Sequence, residues 1–392
     1  MDCISLFTNI YKKSPNTVAF TPYRICPLGA HVDHQQTWIT GFAINKGIHM
    51  AYGPKQNGIV ELSSRQFEKR AQWHVSSTPR QPEGDWADHL RGATIALNLR
   101  YPLHKGICAV IDGELPIGGL SSSAAVIITF LSALSNMNGI SLAESELIEL
   151  ALEAENRYVG VRCGKLDQCC EVYSKKEHLL HMNMRTGEHE LIPQSPNMKP
   201  YKVAIFFSGI ERSLASSKYN ARVDEAKSAA YALLAHAGIE YGLFKDTYLS
   251  DVPHSVYTEY ARLLPEPWKK RAEHYFSESE RVEAGVEAWR KGDIEEFGRL
   301  VFESGRSSIE LWETGSPELR TLYEIMSKTE GIYGGRFSGA GFKGCCMALI
   351  NPDFEQQILE RVERDYLAIF PHLRDKFSAH ICTTADGVKF NS

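Results

Sequence analysis

Gly113-Glu-Leu-Pro-Ile-Gly-Gly-Leu-Ser-Ser-Ser-Ala-Ala-Val-Ile-Ile128 decides how the chain is read. Pro116 and the adjacent Gly118 and Gly119 open a tight turn, three serines follow, and an apolar run then predicts a buried helix. Glycine has no Cβ, so the backbone here can come close to a ligand. Ser121 stands where an N-cap belongs, and the residues after it leave backbone N–H groups pointing out of the helix start. Those donors, with the positive end of the helix dipole, suit a phosphate. The hydroxyls of Ser122 and Ser123 can bind a phosphate oxygen or a Mg²⁺ ion. The same residues would serve equally as a glycine turn that opens a core helix, and the stretch alone leaves both readings open.

The rest of the chain narrows the choice. Its 392 residues are enough for two domains with proper cores. A content of 43% hydrophobic and 23% charged residues is that of a soluble globular protein. A net charge of -5 without a long Lys/Arg run excludes nucleic acid and anionic membrane as the main partner. The longest apolar segment, Ala124 to Leu131, is too short to span a bilayer. The opening MDCISLFTNI lacks the basic start and apolar core of a signal peptide, so a cytoplasmic protein is expected. None of the nine cysteines is spaced C-x-x-C, and the adjacent pairs Cys169–Cys170 and Cys345–Cys346 suit neither zinc nor a disulfide framework. Reduced, buried thiols are expected.

Strands are predicted at 18–25, 44–52, 59–63 and 107–111, and a helix from Trp86 to about Leu99. Ser141-Leu-Ala-Glu144 reads as a capping box that opens a helix running to about Tyr158. Arg24-Ile-Cys-Pro-Leu-Gly-Ala-His-Val-Asp-His34 crowds Arg24, His31, Asp33 and His34 beside Gly29, a density that points to a ligand. The His31/His34 spacing has no second ligand pair to make a metal site. In Arg162-Cys-Gly-Lys-Leu-Asp-Gln168, Asp167 falls at a helix start, where the dipole favours its ionised form. A hairpin is expected over 178–192, and the Pro193–Pro200 stretch marks the boundary between domains 1–198 and 199–392. Beyond it come a strand at 201–208, helices at 215–237, 267–290, 292–309, 316–328 and 353–368, and strands at 345–350 and 379–384. Gly339-x-Gly341-x-x-Gly344 has the dinucleotide spacing but runs into a strand instead of a helix, which excludes NAD.

Together these segments resemble the GHMP small-molecule kinases, and within them the galactokinase branch. Arg24–His34 is similar to the sugar signature, Gly113–Ala124 to the Pro-x-Gly-x-Leu-Ser-Ser-Ser-Ala phosphate loop, and Gly335–Cys345 to the third, glycine-rich motif. Smaller matches lie at 164–168, Ser213–Tyr219, Arg271-Ala-Glu-His274, Glu278 and Arg281-Val282. The resemblance implies an α+β, two-domain GHMP kinase fold. Its N-terminal domain would be ribosomal S5 domain 2-like and its C-terminal domain ferredoxin-like, with the active site in the cleft between them. It implies ATP and Mg²⁺ as cofactors, a small sugar or sugar acid as partner, and a monomer or weak homodimer. Residue by residue, Asp167 matches the catalytic aspartate and Arg24 the arginine beside it. Ser123 and Glu155 match the residues that reach Mg²⁺. Ala30, His31, Asp33, His34, Gly164 and Tyr219 match sugar positions. Pro116, Gly118, Gly119, Leu120, Ser121, Ser122 and Ser123 match the phosphate loop, and Trp86 an aromatic near the adenine.

The departures carry the substrate. Galactokinases place a glutamate at position 30, against the far hydroxyls of the sugar, and this chain has Ala30. A carboxylate about 4 Å from that glutamate would be repelled by roughly 1 kcal/mol in water and about 4 kcal/mol at an effective dielectric of 20. The larger figure is close to a thousandfold in affinity. Ala30 thus admits an acidic sugar. His34, Arg162 and Lys165 add positions for a cation facing a substrate carboxylate, and the Cys26–Gln35 run resembles the galacturonokinases, the sugar-acid members of the branch. The expected reaction is ATP-dependent phosphorylation of galacturonate at its anomeric hydroxyl. A galactokinase and a non-catalytic sugar sensor are the alternatives. Glu211 stands where galactokinases carry an arginine, with Arg212 one residue on.

Overall fold

The computed structural model describes residues 2–210 and 215–389. The chain builds two sheets. The first has eight strands: β1 (Thr17–Ile25), β2 (Trp38–Lys55), β3 (Ile59–Ser64), β4 (Ala71–His74), β5 (Gly106–Gly113), β6 (His178–Asn183), β7 (His189–Pro193) and, far along the chain, β12 (Thr384–Ala385). Its order is β4-β3-β5-β2-β6-β7, with β1 and β12 pairing to β2. β2 is its spine, 18 residues long where the sequence predicts only 44–52. It pairs with β5 over Ile48–Lys55, with β6 over Trp38–Gly41 and with β1 through most of its length.

Alternation along these strands separates two faces. α1 (Cys3–Tyr11) covers one, packing Cys3 and Phe7 on Ala51, Cys108 and Val110. The other face, with Met50, Tyr52, Ile107, Ala109 and Ile111, joins the main core with α2 (Asp88–Arg100), α3 (Ser122–Asn138), α4 (Glu144–Glu153) and α5 (Leu166–Tyr173). α3 is apolar nearly all round, with Ala124, Ala125, Ile127, Ile128, Phe130 and Leu131 all buried. A helix of that pattern belongs inside the domain.

The second sheet is β8 (Lys202–Phe207), β9 (Ile332–Phe337), β10 (Cys345–Ile350) and β11 (Ser378–Cys382). It is antiparallel, in the order β11-β8-β10-β9, the 4-1-3-2 arrangement of a ferredoxin-like unit. Between β8 and β9 lie α6 (Ala215–His236), α7 (His254–Tyr260), α8 (Glu266–Lys291), α9 (Ile294–Glu310) and α10 (Pro317–Ser327), and α11 (Glu355–Ile369) joins β10 to β11. α9 and α10 pack on β9, and α8 reaches the first sheet at β2. After β11 the chain crosses back, so that β12 pairs with Ala43 and Ile44 of β2. All nine cysteines are free. Among the described residues no helix is long and apolar enough to cross a membrane.

Two expectations about caps need correction. Ser121 does precede α3, but with a left-handed backbone (φ 59°), and its buried hydroxyl makes no cap hydrogen bond. The N-cap of α4 is Ala143, without a side-chain cap, so Ser141 forms no capping box. That helix also ends earlier than expected, giving way to a wider π-turn over Ala154–Val159.

Candidate active site

The site lies where the two sheets meet, and glycines let them meet. The loop between β9 and β10 lies across the phosphate-loop candidate at backbone contact. A Cβ on Gly339 would fall 3.0 Å from Gly119 Cα. Leu120 is buried in the core, so its side chain is withdrawn and only its backbone remains for a ligand. Pro116 is exposed, while Ser122 and Ser123 form the first turn of α3 and are partly exposed.

Arg24 is aimed by a slip in register between Pro22 and Arg24 on β1, a device that re-aims side chains at functional sites. Its side chain is buried, with Nε donating to Asp167 Oδ1 at 2.8 Å. One Nη donates to the Gly119 carbonyl at 3.2 Å and to Ser338 Oγ at 3.4 Å. Burial alone would lower the Arg24 pKa, but the charge of Asp167 outweighs it and holds the guanidinium firmly protonated. One residue thereby touches α5, the phosphate loop and the glycine-rich loop.

Two further carboxyls lie near Asp167. Glu155 sits on the π-turn, where Gly160 N–H bonds the Glu155 carbonyl and the wide turn carries the side chain inward. Burial, and then the charge of Asp167, push its pKa up to about 7, against hydrogen bonds from Ser123, Cys163 and Gln168. Gln168 Nε2 lies 2.6 Å from it. Asp33 is pushed up to about 6 by burial and by Asp167, and Gly164 lies so close that a Cβ there would fall 2.4 Å from Asp33 Oδ2.

The loop from Gly29 to His34 is held from the other half of the chain. Glu278 Oε1 on α8 accepts from Gly29 N at 2.8 Å and Ala30 N at 3.2 Å, and His274 Nε2 lies 3.0 Å from the Ala30 carbonyl. Glu278 is fully buried; burial would raise its pKa, yet the charges of Arg281, His274 and Arg336 outweigh this and hold it at about 2. Ser304 bridges Glu278 and Arg336. His31 adopts φ 61°, in the left-handed region, and its ring stacks on Trp312 at 5.4 Å. His34 lies 5.5 Å from the same indole and 6.2 Å from Tyr219 of α6.

Two expectations about cations change here, and the third, Lys165, keeps its charge unpaired among the described residues. His34 is neutral, its pKa driven down to about 3 by burial and by the charge of Lys227. Arg162 is committed to Asp224 through two hydrogen bonds of 2.6 and 2.8 Å. Lys165 is the N-cap residue of α5 and makes no ion pair with any described residue. Trp86 stands apart from this cluster, stacked on Phe67 at 5.6 Å with its Nε1 donating to the Lys69 carbonyl. Glu211 and Arg212 lie outside the described residues, as does part of the Ser213–Tyr219 match. The sequence places His274, Glu278 and Ser338 in matched motifs without giving them a role, and it offers no signal for Trp312, which meets the site only in space.

A ferredoxin-like unit closing on a serine-rich helix start, with an arginine–aspartate pair between them, defines a small-molecule kinase. Residues 88–175 match the family model described as GHMP kinases N terminal domain, and residues 286–368 the one described as GHMP kinases C terminal. The chain belongs to the GHMP kinase family. It is 38% identical to the galacturonokinase of Arabidopsis thaliana over 397 residues, covering 95% of this chain and 93% of that one. It is 29% identical to a galactokinase of Roseiflexus sp. (strain RS-1), covering 97% and 95%. The crystal structure of Lactococcus lactis galactokinase complexed with galactose superposes with a TM-score of 0.89 at 25% identity, covering 98% of both chains.

Proposed function

We propose that the protein is an ATP-dependent sugar 1-kinase that phosphorylates the anomeric hydroxyl of D-galacturonate, acting in the cytoplasm as a monomer or weak homodimer. The observation that carries the reading is Ala30: its small side chain occupies the position where galactokinases hold a glutamate, on a loop whose peptides Glu278 and His274 fix. The likeness to the plant galacturonokinase supports the same substrate.

In this reading Asp167 accepts the proton of the sugar C1 hydroxyl as that oxygen attacks the γ-phosphorus, and the bond from the γ-phosphorus to the β-bridging oxygen breaks to release ADP. Arg24 offsets the charge that builds on the transferring phosphoryl and orients Asp167. The Arg24 contact fixes the direction of the Asp167 carboxyl, and orientation is the larger part of its contribution. Backbone N–H groups from Gly118 to Ser123 hold the phosphates, and Trp86 with Phe67 flanks the adenine. Asp33, His31, Gly164 and Tyr219 hold the sugar.

Ser123 and Glu155 fit Mg²⁺: both are hard oxygen donors already in contact, and the buried Glu155 lacks a cation of its own among its hydrogen-bond partners. Among the described residues no three His, Cys, Asp or Glu side chains form a complete cage, which suits an ion that takes one carboxylate plus substrate phosphates. Bound there, the ion would neutralise phosphate charge.

The test is the initial rate with Mg²⁺-ATP on D-galacturonate and D-galactose side by side. A kcat/KM at least a hundredfold higher for galacturonate is expected. A preference for galactose would make this a galactokinase with an unusual sugar loop, and binding of both sugars without turnover would make it a sensor.

A further inference from the structure

Among the described residues, three buried ring nitrogens near the sugar loop have no hydrogen-bond partner, His31 Nε2, His34 Nε2 and Trp312 Nε1, and two of them are assignable as N–H donors. The first is on His34. Leu249 N–H donates to Gln35 Oε1 at 2.9 Å, which fixes the Gln35 amide so that its Nε2 faces His34 Nδ1 at 2.8 Å. An amide nitrogen only donates, so His34 Nδ1 accepts and the proton of the neutral ring sits on Nε2. His34 Nε2 is buried and has no partner. The second is Trp312 Nε1, a group that can only donate, also buried and without a partner. His34 and Trp312 are 5% and 1% exposed. They come from opposite halves of the chain, with ring centres 5.5 Å apart.

A buried donor without an acceptor costs stability, and two on rings whose centres are 5.5 Å apart mark a place for an acceptor that a ligand brings. The surroundings favour an anion. Lys227, whose charge acts on His34, rests against the Tyr248 ring at 3.8 Å and donates to the Lys245 carbonyl; it makes no ion pair with any described residue. Arg271 lies over the Trp312 ring but is already paired with Glu225 and Glu313. Of the other cations considered, Arg162 is held by Asp224, and Lys165 stands at the N-cap of α5, without an ion pair among the described residues.

We infer that His34 Nε2–H and Trp312 Nε1–H together bind the carboxylate of the sugar acid, so that the acid is recognised by neutral donors from both halves of the chain and not by a salt bridge. The inference rests on the proposed galacturonate kinase activity. It makes Trp312 a specificity-determining residue, with its ring stacked on His31 and its N–H given to the substrate. Ala30, in the same loop, adds no carboxylate of its own there.

The experiment measures kcat/KM on D-galacturonate and D-galactose for the wild type, Trp312→Phe, His34→Phe and His34→Gln. Wild type comes first: if it prefers galactose, the galacturonate reading and this inference fall together. If it prefers galacturonate, Trp312→Phe, which keeps an aromatic ring against His31, should lower the galacturonate-to-galactose ratio at least about tenfold, mainly through KM. His34→Phe should do the same, and His34→Gln, which retains an N–H donor, should keep more of the ratio than His34→Phe. Equal loss on both sugars, or an unchanged ratio, overturns the inference while leaving the kinase reading in place. If Trp312→Phe does not fold, the comparison of His34→Phe with His34→Gln decides in the same terms.

Discussion

Gly118 and Gly344 pass each other at main-chain contact: a Cβ on Gly344 would fall 2.6 Å from the Gly118 carbonyl carbon, and one on Gly118 would fall 3.0 Å from Gly344 Cα. Both have positive φ, 129° and 97°. Each position is therefore closed to a side chain by sterics and by conformation. Gly344→Ala should cost about 2 kcal/mol or more in stability. It should also raise the KM for ATP well above that of the wild type while the sugar KM moves less. Thermal melting and separate ATP and sugar titrations check this.

Asp167 acts on two neighbouring carboxyls besides its proposed part in the reaction. Asp167→Asn should lower kcat by about 10²–10⁴ while the protein still binds ATP. Since Asp167 is the second cause, after burial, that raises both Asp33 and Glu155, the same change should lower both of their pKa values. Carboxyl titration followed by NMR reads this directly.

The Glu155 pKa of about 7 has a definite sign in stability. An unfolded glutamate titrates near roughly 4.3, so between about pH 4 and 7 the folded chain binds more protons than the unfolded one. The contribution of Glu155 to stability is therefore fully present below the unfolded pKa and lost as pH rises through the folded value. The melting-temperature difference, wild type minus Glu155→Gln, should fall between pH 5 and pH 8. Added Mg²⁺-nucleotide should stabilise the wild type more at pH 8 than at pH 6, because a metal ligand must be ionised.

Glu278 is a positioning residue for the sugar loop. Glu278→Gln keeps an acceptor for the Gly29 and Ala30 amides but leaves Arg281 and Arg336 without their buried counter-charge. Breaking a buried pair in this way costs about 3–5 kcal/mol. The sugar KM should rise about tenfold or more, with the ATP KM within about twofold of wild type. A general loss of packing would raise both.

Ala30→Glu restores the charge that galactokinases carry. By the like-charge argument it should lower kcat/KM on galacturonate by up to about a thousandfold and spare galactose. An equal effect on both sugars would sink the charge argument.

Much of this architecture is legible in the sequence where local signals agree with the tertiary result. β10 spans the six residues that the apolar run after Gly344 predicts. α8, α9 and α10 fall within two residues of their predicted ends because Gly292, Asp293 and Ser316 mark the breaks. β2 was harder, since Gly41, Gly47, Gly53 and the charge of Lys46 break the strand pattern that pairing on both edges sustains. β9, the Ile-Tyr-Gly-Gly-Arg-Phe run, reads as a glycine loop, although Gly334 and Gly335 are glycine because α9 and Met326 press against them. The capping-box pattern at Ser141 lost to a helix that starts at Glu144. Within the site, Arg24, Asp33, Glu155 and Asp167 could be picked out because their motifs are contiguous. Trp312 could not, because its only signal is its neighbours in space.

The return of the chain to its first sheet sets an order of assembly. Asn45 bonds the Thr383 carbonyl, and the amides of Gly387 and Val388 bond the carbonyls of Ser174 and Glu171 at the end of the helix that carries Asp167. These partners are separated by more than two hundred residues of sequence. On the ribosome, the N-terminal sheet can form most of its strands early, but the brace on α5 arrives only after the whole ferredoxin-like unit has been synthesised. A chain stalled late in translation would hold its nucleotide loop and its sugar loop yet leave Asp167 unbraced. The support of α5 is thus completed only by the segment that follows β11.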